Sequence, residues 1–207
     1  MFEIIKAGGW IMWPIVAASV LALAIIIERF WSLRNDRVAP PNMLQQIWQW
    51  VKNNELDEAR IRAIYDSSPL GRILAAGLVN RKSSREILKE SIEDAGRHAA
   101  PELERHLRTL GTISAIAPFL GLLGTVFGMI DMFSGIGHQG LGDPSIVADG
   151  IAQALVATAG GLIVAIPSLI FYRYFRGRVS DLLLNMEGEA VKLVEILQGR
   201  RERLRGE

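Results

Sequence analysis

Three stretches of this chain contain no Asp, Glu, Lys or Arg: Ala7 to Ile27, Thr109 to Ile130 and Gly150 to Tyr172, of 21, 22 and 23 residues. A helix needs about 20 apolar residues to cross a bilayer, so the pattern predicts three transmembrane helices, 7–27, 109–130 and 150–172. The polar stretches are patterned too. Leu44, Ile47, Trp48 and Val51 recur at i, i+3, i+4 and i+7, the stripe of an amphipathic helix. Ser83 and Glu86 have the spacing of a capping box. Leu88, Ile92, Ala95, Ala99, Leu103, Leu107 and Leu110 then carry three-to-four spacing toward the second apolar run. Pro101 interrupts that stripe and predicts a kink or a restart, with Glu102 and Glu104 in a new first turn. After the third run, Val179, Leu182, Leu183, Met186, Ala190, Leu193, Val194 and Leu197 keep the same period. One helix from Gly150 to Leu197 would be roughly 70 Å long. No strand-like alternation stands out, and the expected class is all-α.

Charge orients the spans. Of 23 Lys and Arg, 14 lie between Arg29 and Arg108 and eight between Arg173 and Arg205. Segment 131–149 has none and segment 1–6 has only Lys6. The positive-inside rule then places 28–108 and 173–207 in the cytoplasm, as helical domain and helical tail. Segments 1–6 and 131–149 fall on the outer side. The first run has no small-residue cleavage site before Glu28 and Arg29, which predicts an uncleaved helix rather than a signal peptide. The chain has no cysteine, which excludes disulfides but identifies no compartment.

Candidate chemistry is sparse. There is no phosphate-binding G-x-x-x-x-G-K-[ST] loop and no H-E-x-x-H pair. No nucleophile with its base is legible, so no enzyme activity is expected. His98 and His106 stand eight apart on a charged helix and His138 lies alone in the outer loop; solvated surface is the expected role of all three, and no metal site is expected. The apolar runs are more informative. Gly121, Gly124 and Gly128 fall three and four apart near one face of the second helix. Gly150, Ala154, Ala157, Gly161 and Ala165 repeat the device on the third. Small residues at this spacing let membrane helices approach closely. Thr125, Thr158 and Gln153 are the polar side chains to explain. A threonine can bond a carbonyl one turn back, whereas the amide of Gln153 is harder to internalise and polar groups in a span usually face protein or water.

The blocks "LGTISAIAPFLGLLGTVFGMI" (110–130) and "GIAQALVATAGGLIVAIPSLIFYRYF" (150–175) resemble the core of the ExbB/TolQ/MotA proton-channel family, most closely its ExbB branch, with TolQ second. The resemblance implies a homopentamer whose helices 2 and 3 line a central pore and extend into the cytoplasm. It also implies two copies of an ExbD-like single-span partner in that pore, a TonB-like protein beyond it, and protons as the coupling ion with no other cofactor. The setting implied is the inner membrane of a Gram-negative bacterium, with the N-terminus periplasmic and the C-terminus cytoplasmic. The pore threonines of the family fall on Thr125 and Thr158, and its helix-breaking prolines on Pro118 and Pro167. Many members read G-I-A-E-A-L where this chain reads "GIAQAL", so Gln153 stands where an acid is often found. With no ionisable side chain inside any of the three runs, a titrating carboxylate at membrane depth would come from another chain.

Two other readings stay open on the residues alone. One is a non-conducting membrane scaffold, for which the amphipathic cytoplasmic helices and the basic tail "GRRERLR" would be docking surfaces. The other is a stator of the MotA type, whose four-span plan fits three spans poorly. Arg173, Arg176 and Arg178 in "RYFRGR" are candidates for phospholipid head-group contact, since basic segments beside a membrane bind anionic lipid. No nucleic-acid partner is expected.

Overall fold

The computed structural model describes residues 7–139 and 144–205. Every regular element among them is helical: α1 (Met12–Ser32), α2 (Asn35–Val38), α3 (Met43–Lys52), α4 (Glu58–Ser67), α5 (Pro69–Val79), α6 (Arg85–Leu103), α7 (Leu107–Gln139) and α8 (Pro144–Arg205). Three helices among the described residues are long and apolar enough to cross a membrane, and the runs 109–130 and 150–172 lie in α7 and α8. The first span is corrected from 7–27 to Met12–Ser32, because the chain turns at residues 8–11, where Gly9 takes a left-handed conformation (φ 71°), and the helix runs on through Glu28 and Arg29. The chain divides into two units. One comprises Met1–Arg29 and His106–Tyr174, the other Phe30–Arg105 and Phe175–Glu207.

In the first unit, α7 and α8 meet along small residues. A Cβ added at Gly161 would lie 2.5 Å from the Ala117 carbonyl oxygen and 3.0 Å from the Gly121 Cα. One added at Gly128 would lie 2.8 Å from the Gly150 carbonyl oxygen, and one at Gly124 would overlap the Ala157 Cβ. Ala117, Ala154, Ala157 and Ala165 are all buried along the same seam. Backbone therefore packs on backbone, as the glycine spacing predicts. The chain entering α1 closes one side of the pair: Ile11, Met12 and Ile15 are buried against Leu120, Phe127, Val156 and Val164. Trp10 meets Phe127 edge-on, with ring centroids 5.1 Å apart.

The opposite face of α1 is apolar and open, with Val20, Leu23 and Ile27 exposed. Trp13 and Trp31, both exposed, bracket it. Eighteen residues of helix separate them, roughly 27 Å, close to the thickness of a hydrocarbon core of about 30 Å whose boundaries favour tryptophan.

Neither Pro118 nor Pro167 ends its helix. Beside them the buried Ser114 and Ser168 return their hydroxyls to carbonyls of their own helix, Gly111 O at 2.7 Å and Val164 O at 2.7 Å. Of segment 131–149, residues 131–139 continue α7 and 144–149 begin α8, while 140–143 lie outside the described residues, as do residues 1–6. Pro144 opens α8, a position where its missing N–H would have had no helical acceptor.

The second unit has a conventional core. The α8 stripe predicted from sequence is buried at Val179, Leu182, Met186, Ala190, Leu193, Val194 and Leu197. Leu183 alone of the eight is only partly covered. Leu70, Ile73, Leu74 and Leu78 of α5 and Leu88, Ile92, Ala99 and Leu103 of α6 supply further apolar faces. On α3 the buried line is Met43, Ile47 and Val51, and Trp48 lies largely exposed with the Lys52 ammonium 5.2 Å from its ring centroid.

Three local expectations are corrected. The α6 cap is Ser84, not Ser83: Ser84 is extended (φ −60°, ψ 166°), and its Oγ accepts the Ile87 N–H at 3.4 Å. Hydrogen bonds from its own backbone N–H and from Ser84 hold the Glu86 carboxyl below the usual range. Pro101 does not restart a helix; α6 runs through it to Leu103, and Glu102 on the last turn pairs with Arg72 of α5 at 2.5 Å. The break comes later, where Glu104 caps α6 and His106 takes a left-handed conformation (φ 61°) before α7 starts. His98 and His106 thus belong to different elements.

The seam predicts opposite outcomes for two glycines in α8. Gly161→Ala should lower the thermal midpoint in detergent, because overpacking costs about 1–3 kcal/mol and the helix-propensity gain is at most about 1 kcal/mol. Gly177, whose added Cβ would meet nothing within 4 Å, should instead raise it when changed to Ala. Circular dichroism melting of the two variants checks the contrast. Ser84→Ala should cost the first turn of α6 about 1 kcal/mol, seen as roughly fivefold faster hydrogen exchange at the Ile87 amide.

Candidate functional site

The seam places two of the predicted polar side chains between helices and leaves the third on its own. Thr158 Oγ1 crosses from α8 to donate to the Gly121 carbonyl oxygen of α7 at 3.3 Å. This reach depends on the bare backbone at Gly121, where an added Cβ would sit 3.0 Å from the Thr158 Cα. Interhelical bonds of this kind in membranes are worth about 0.6–1.7 kcal/mol. Thr125 behaves as an isolated membrane threonine does, donating to the Leu122 carbonyl oxygen of its own helix at 2.7 Å. Both threonines are half-buried in the single chain.

Gln153 does not stand alone. Its Nε2 donates to Oδ2 of Asp131, on α7, at 3.3 Å. Gly9, in the left-handed region (φ 71°), lies so close that a Cβ there would collide with Nε2 of Gln153. The amide of this α8 residue is therefore contacted by α7 and by the segment leading into α1. Asp131 escapes a reading based on charge-free runs, because the run ends at Ile130 and assigns the acid to a loop. Yet α7 continues to Gln139, so an ionisable side chain does sit on a spanning helix. The available signal was the spacing: 124, 128 and 131 share the small-residue face.

Apart from the seam, Arg29 is buried near the end of α1, with Nε donating to Glu28 Oε2 at 2.5 Å and Nη2 to Oε1 at 2.6 Å. Nδ1 of His106 lies 3.6 Å from the same Glu28. His98 is largely exposed beside Asp94, at 3.9 Å, and the side chain of His138 lies outside the described residues. Arg173 and Arg176 are exposed and Arg178 is half-buried. The side chains of the tail from Arg200 onward also lie outside the described residues. Among the described residues no three His, Cys, Asp or Glu side chains converge as a metal site would require.

Chemically, this is a closely packed helix pair carrying the interhelical hydroxyl of Thr158 and, near one end, the acid–amide pair of Asp131 and Gln153. The exposed faces of α7 and α8 are apolar, with Phe119, Val126 and Phe133 on one and Leu155, Ile163 and Ile166 on the other. Such a surface suits lipid or other helices.

Comparison with known proteins agrees. Residues 66–188 match the model of the MotA/TolQ/ExbB proton channel family. The chain is 37% identical over 175 residues to the biopolymer transport protein ExbB-like 1 of Synechocystis sp., covering 80% of this chain and 66% of that protein. It is 31% identical over 169 residues to biopolymer transport protein ExbB of Salmonella typhimurium, covering 72% and 69%. With the Tol-Pal system protein TolQ of Pseudomonas aeruginosa it shares 30% over 185 residues, covering 84% and 80%. The match thus spans just under two thirds of the Synechocystis protein. A three-span helical chain with this seam, matching the family over most of its length, is a multi-pass membrane protein and belongs to the MotA/TolQ/ExbB proton channel family.

Proposed function

We propose that this chain is an ExbB-like subunit of a motor in a bacterial inner membrane, driven by the proton gradient, which energises transport across the outer membrane. The observation that carries the reading is the hydroxyl of Thr158, which bonds across from α8 to α7 among the small residues in the middle of the seam. Five copies would form a ring with α7 and α8 innermost. Two copies of an ExbD-like single-span protein would occupy the pore, and a TonB-like protein would carry the work outward. The small-residue wall gives a partner helix little to adhere to. An ionised acid on that helix would cost about 3 kcal/mol or more at the bilayer centre. Thr125 and Thr158 offset part of this by turning their hydroxyls from the Leu122 and Gly121 carbonyls to the acid, and protonation removes it. Alternation between the two states lets the gradient bias movement, at about 2.3 kcal/mol per charge per 100 mV.

The orientation follows from charge, with the N-terminus and the α7–α8 connection outside and the basic segments in the cytoplasm. Arg173, Arg176 and Arg178 would then meet phospholipid head groups at the inner surface. A TolQ-like role in the Tol-Pal system is the second reading, favoured by the long match to the Pseudomonas protein.

Thr158→Val is isosteric and should leave assembly intact while reducing energised uptake roughly tenfold, the equivalent of losing about 1.4 kcal/mol of differential stabilisation. Native mass spectrometry of the complex from native membranes, combined with an uptake assay, checks both halves. Uptake at full rate with normal expression removes the role given to the hydroxyl. A monomer, or a ring without a single-span acidic partner, points to the scaffold instead.

A further inference from the structure

The acid–amide pair at one end of the seam has no place in the picture above, in which every titrating group belongs to a partner. Asp131 shares the face of α7 that carries Gly124 and Gly128, and Gln153 lies one turn before the buried Ala157 on α8. The two side chains meet at 3.3 Å. Asp131 is exposed and Gln153 half-buried in the single chain, so the carboxylate is the more open of the two groups. Gly9 presses bare backbone against that amide in a conformation that disfavours any side chain.

The geometry points to Asp131 as a proton-accepting carboxylate of this chain at the entry end of the α7–α8 seam, with Gln153 as its positioning residue. Chemistry supports the pairing in both protonation states. The ionised carboxylate accepts from the amide NH2, and the protonated acid can donate its O–H to the amide oxygen once the amide turns over. Gln153 therefore need not leave when the proton arrives. The proton comes from water on that side, binds a carboxylate oxygen of Asp131 and neutralises it. It then passes to a carboxylate on the partner helix, restoring the charge on Asp131. The other ionisable residues on the elements that pack here are few. Asp149 lies one turn before Gln153 on α8 and His138 lies further along α7. Glu3 and Lys6, on the segment before α1, lie outside the described residues.

This inference rests on the motor reading, and its test separates the two. The intact complex, chain plus co-purifying partners, is reconstituted in liposomes, and proton flux is measured against outer pH. Asp131→Asn keeps an acceptor for the Gln153 amide and so preserves packing; flux should fall at least about tenfold, the equivalent of 1.4 kcal/mol. The exchanged double variant Asp131→Asn with Gln153→Glu should recover flux to within about threefold, with a shifted pH of half-maximal flux, because a carboxylate in a new setting titrates differently. Wild-type flux in Asp131→Asn overturns the inference and leaves the motor reading intact. An exchanged variant that assembles normally yet stays as slow as Asp131→Asn also overturns it. A wild-type complex that carries no protons at all overturns both.

Discussion

Inside a bilayer the hydrophobic effect cannot hold two helices together, because lipid tails are as apolar as leucine. What remains is dispersion across a tight interface and any hydrogen bond the interface allows. The α7–α8 seam uses both. Gly128, Gly150 and Gly161 each bring backbone against the opposite helix at distances that leave no space for a methyl group, and Gly121 leaves barely enough. That same closeness puts the Gly121 carbonyl oxygen within reach of Thr158. The apolar wall, the crossing hydroxyl and the acid–amide pair at Asp131 and Gln153 all follow from one constraint: these two helices must nearly touch.

Glycine in a helix interior costs about 1 kcal/mol against alanine, so the seam weakens each helix locally in exchange for contact between them. Helix α1 plays the complementary part. It contributes bulk where the seam has none, inserting Met12 and Ile15 toward Gly160 and burying them against Val156 and Val164. Its other side, bracketed by Trp13 and Trp31, is left for lipid.

The features legible in the sequence are those with a simple period or a composition edge. The stripe from Val179 to Leu197 and the glycine spacing on α7 and α8 both appear in the structure where the period puts them. Local chemistry was read less well, and for physical reasons. Ser83 and Ser84 are equally able caps by type, and only the extended backbone at Ser84 selects it. Pro101 predicts a kink or a restart by type, yet no restart occurs, because a proline near the end of a helix removes one hydrogen bond that the last turn can spare. Asp131 was missed because charge marks the end of an apolar run without marking the end of a helix. The partner that makes this acid interesting, Gln153, is 22 residues away in sequence, beyond the reach of any local pattern.

The chain passes between its two units three times, and the passages differ in kind. Residues 29 and 30 lie within α1 and residues 174 and 175 within α8, so two crossings are uninterrupted helix. The third, at 105 and 106, is a short turn that ends on a left-handed histidine. A helix resists twisting about its axis because every turn is tied to the next by hydrogen bonds, while a turn has few such ties. The two helical passages are therefore held in fixed twist along their own length, and the turn at His106 is the passage with the fewest such ties.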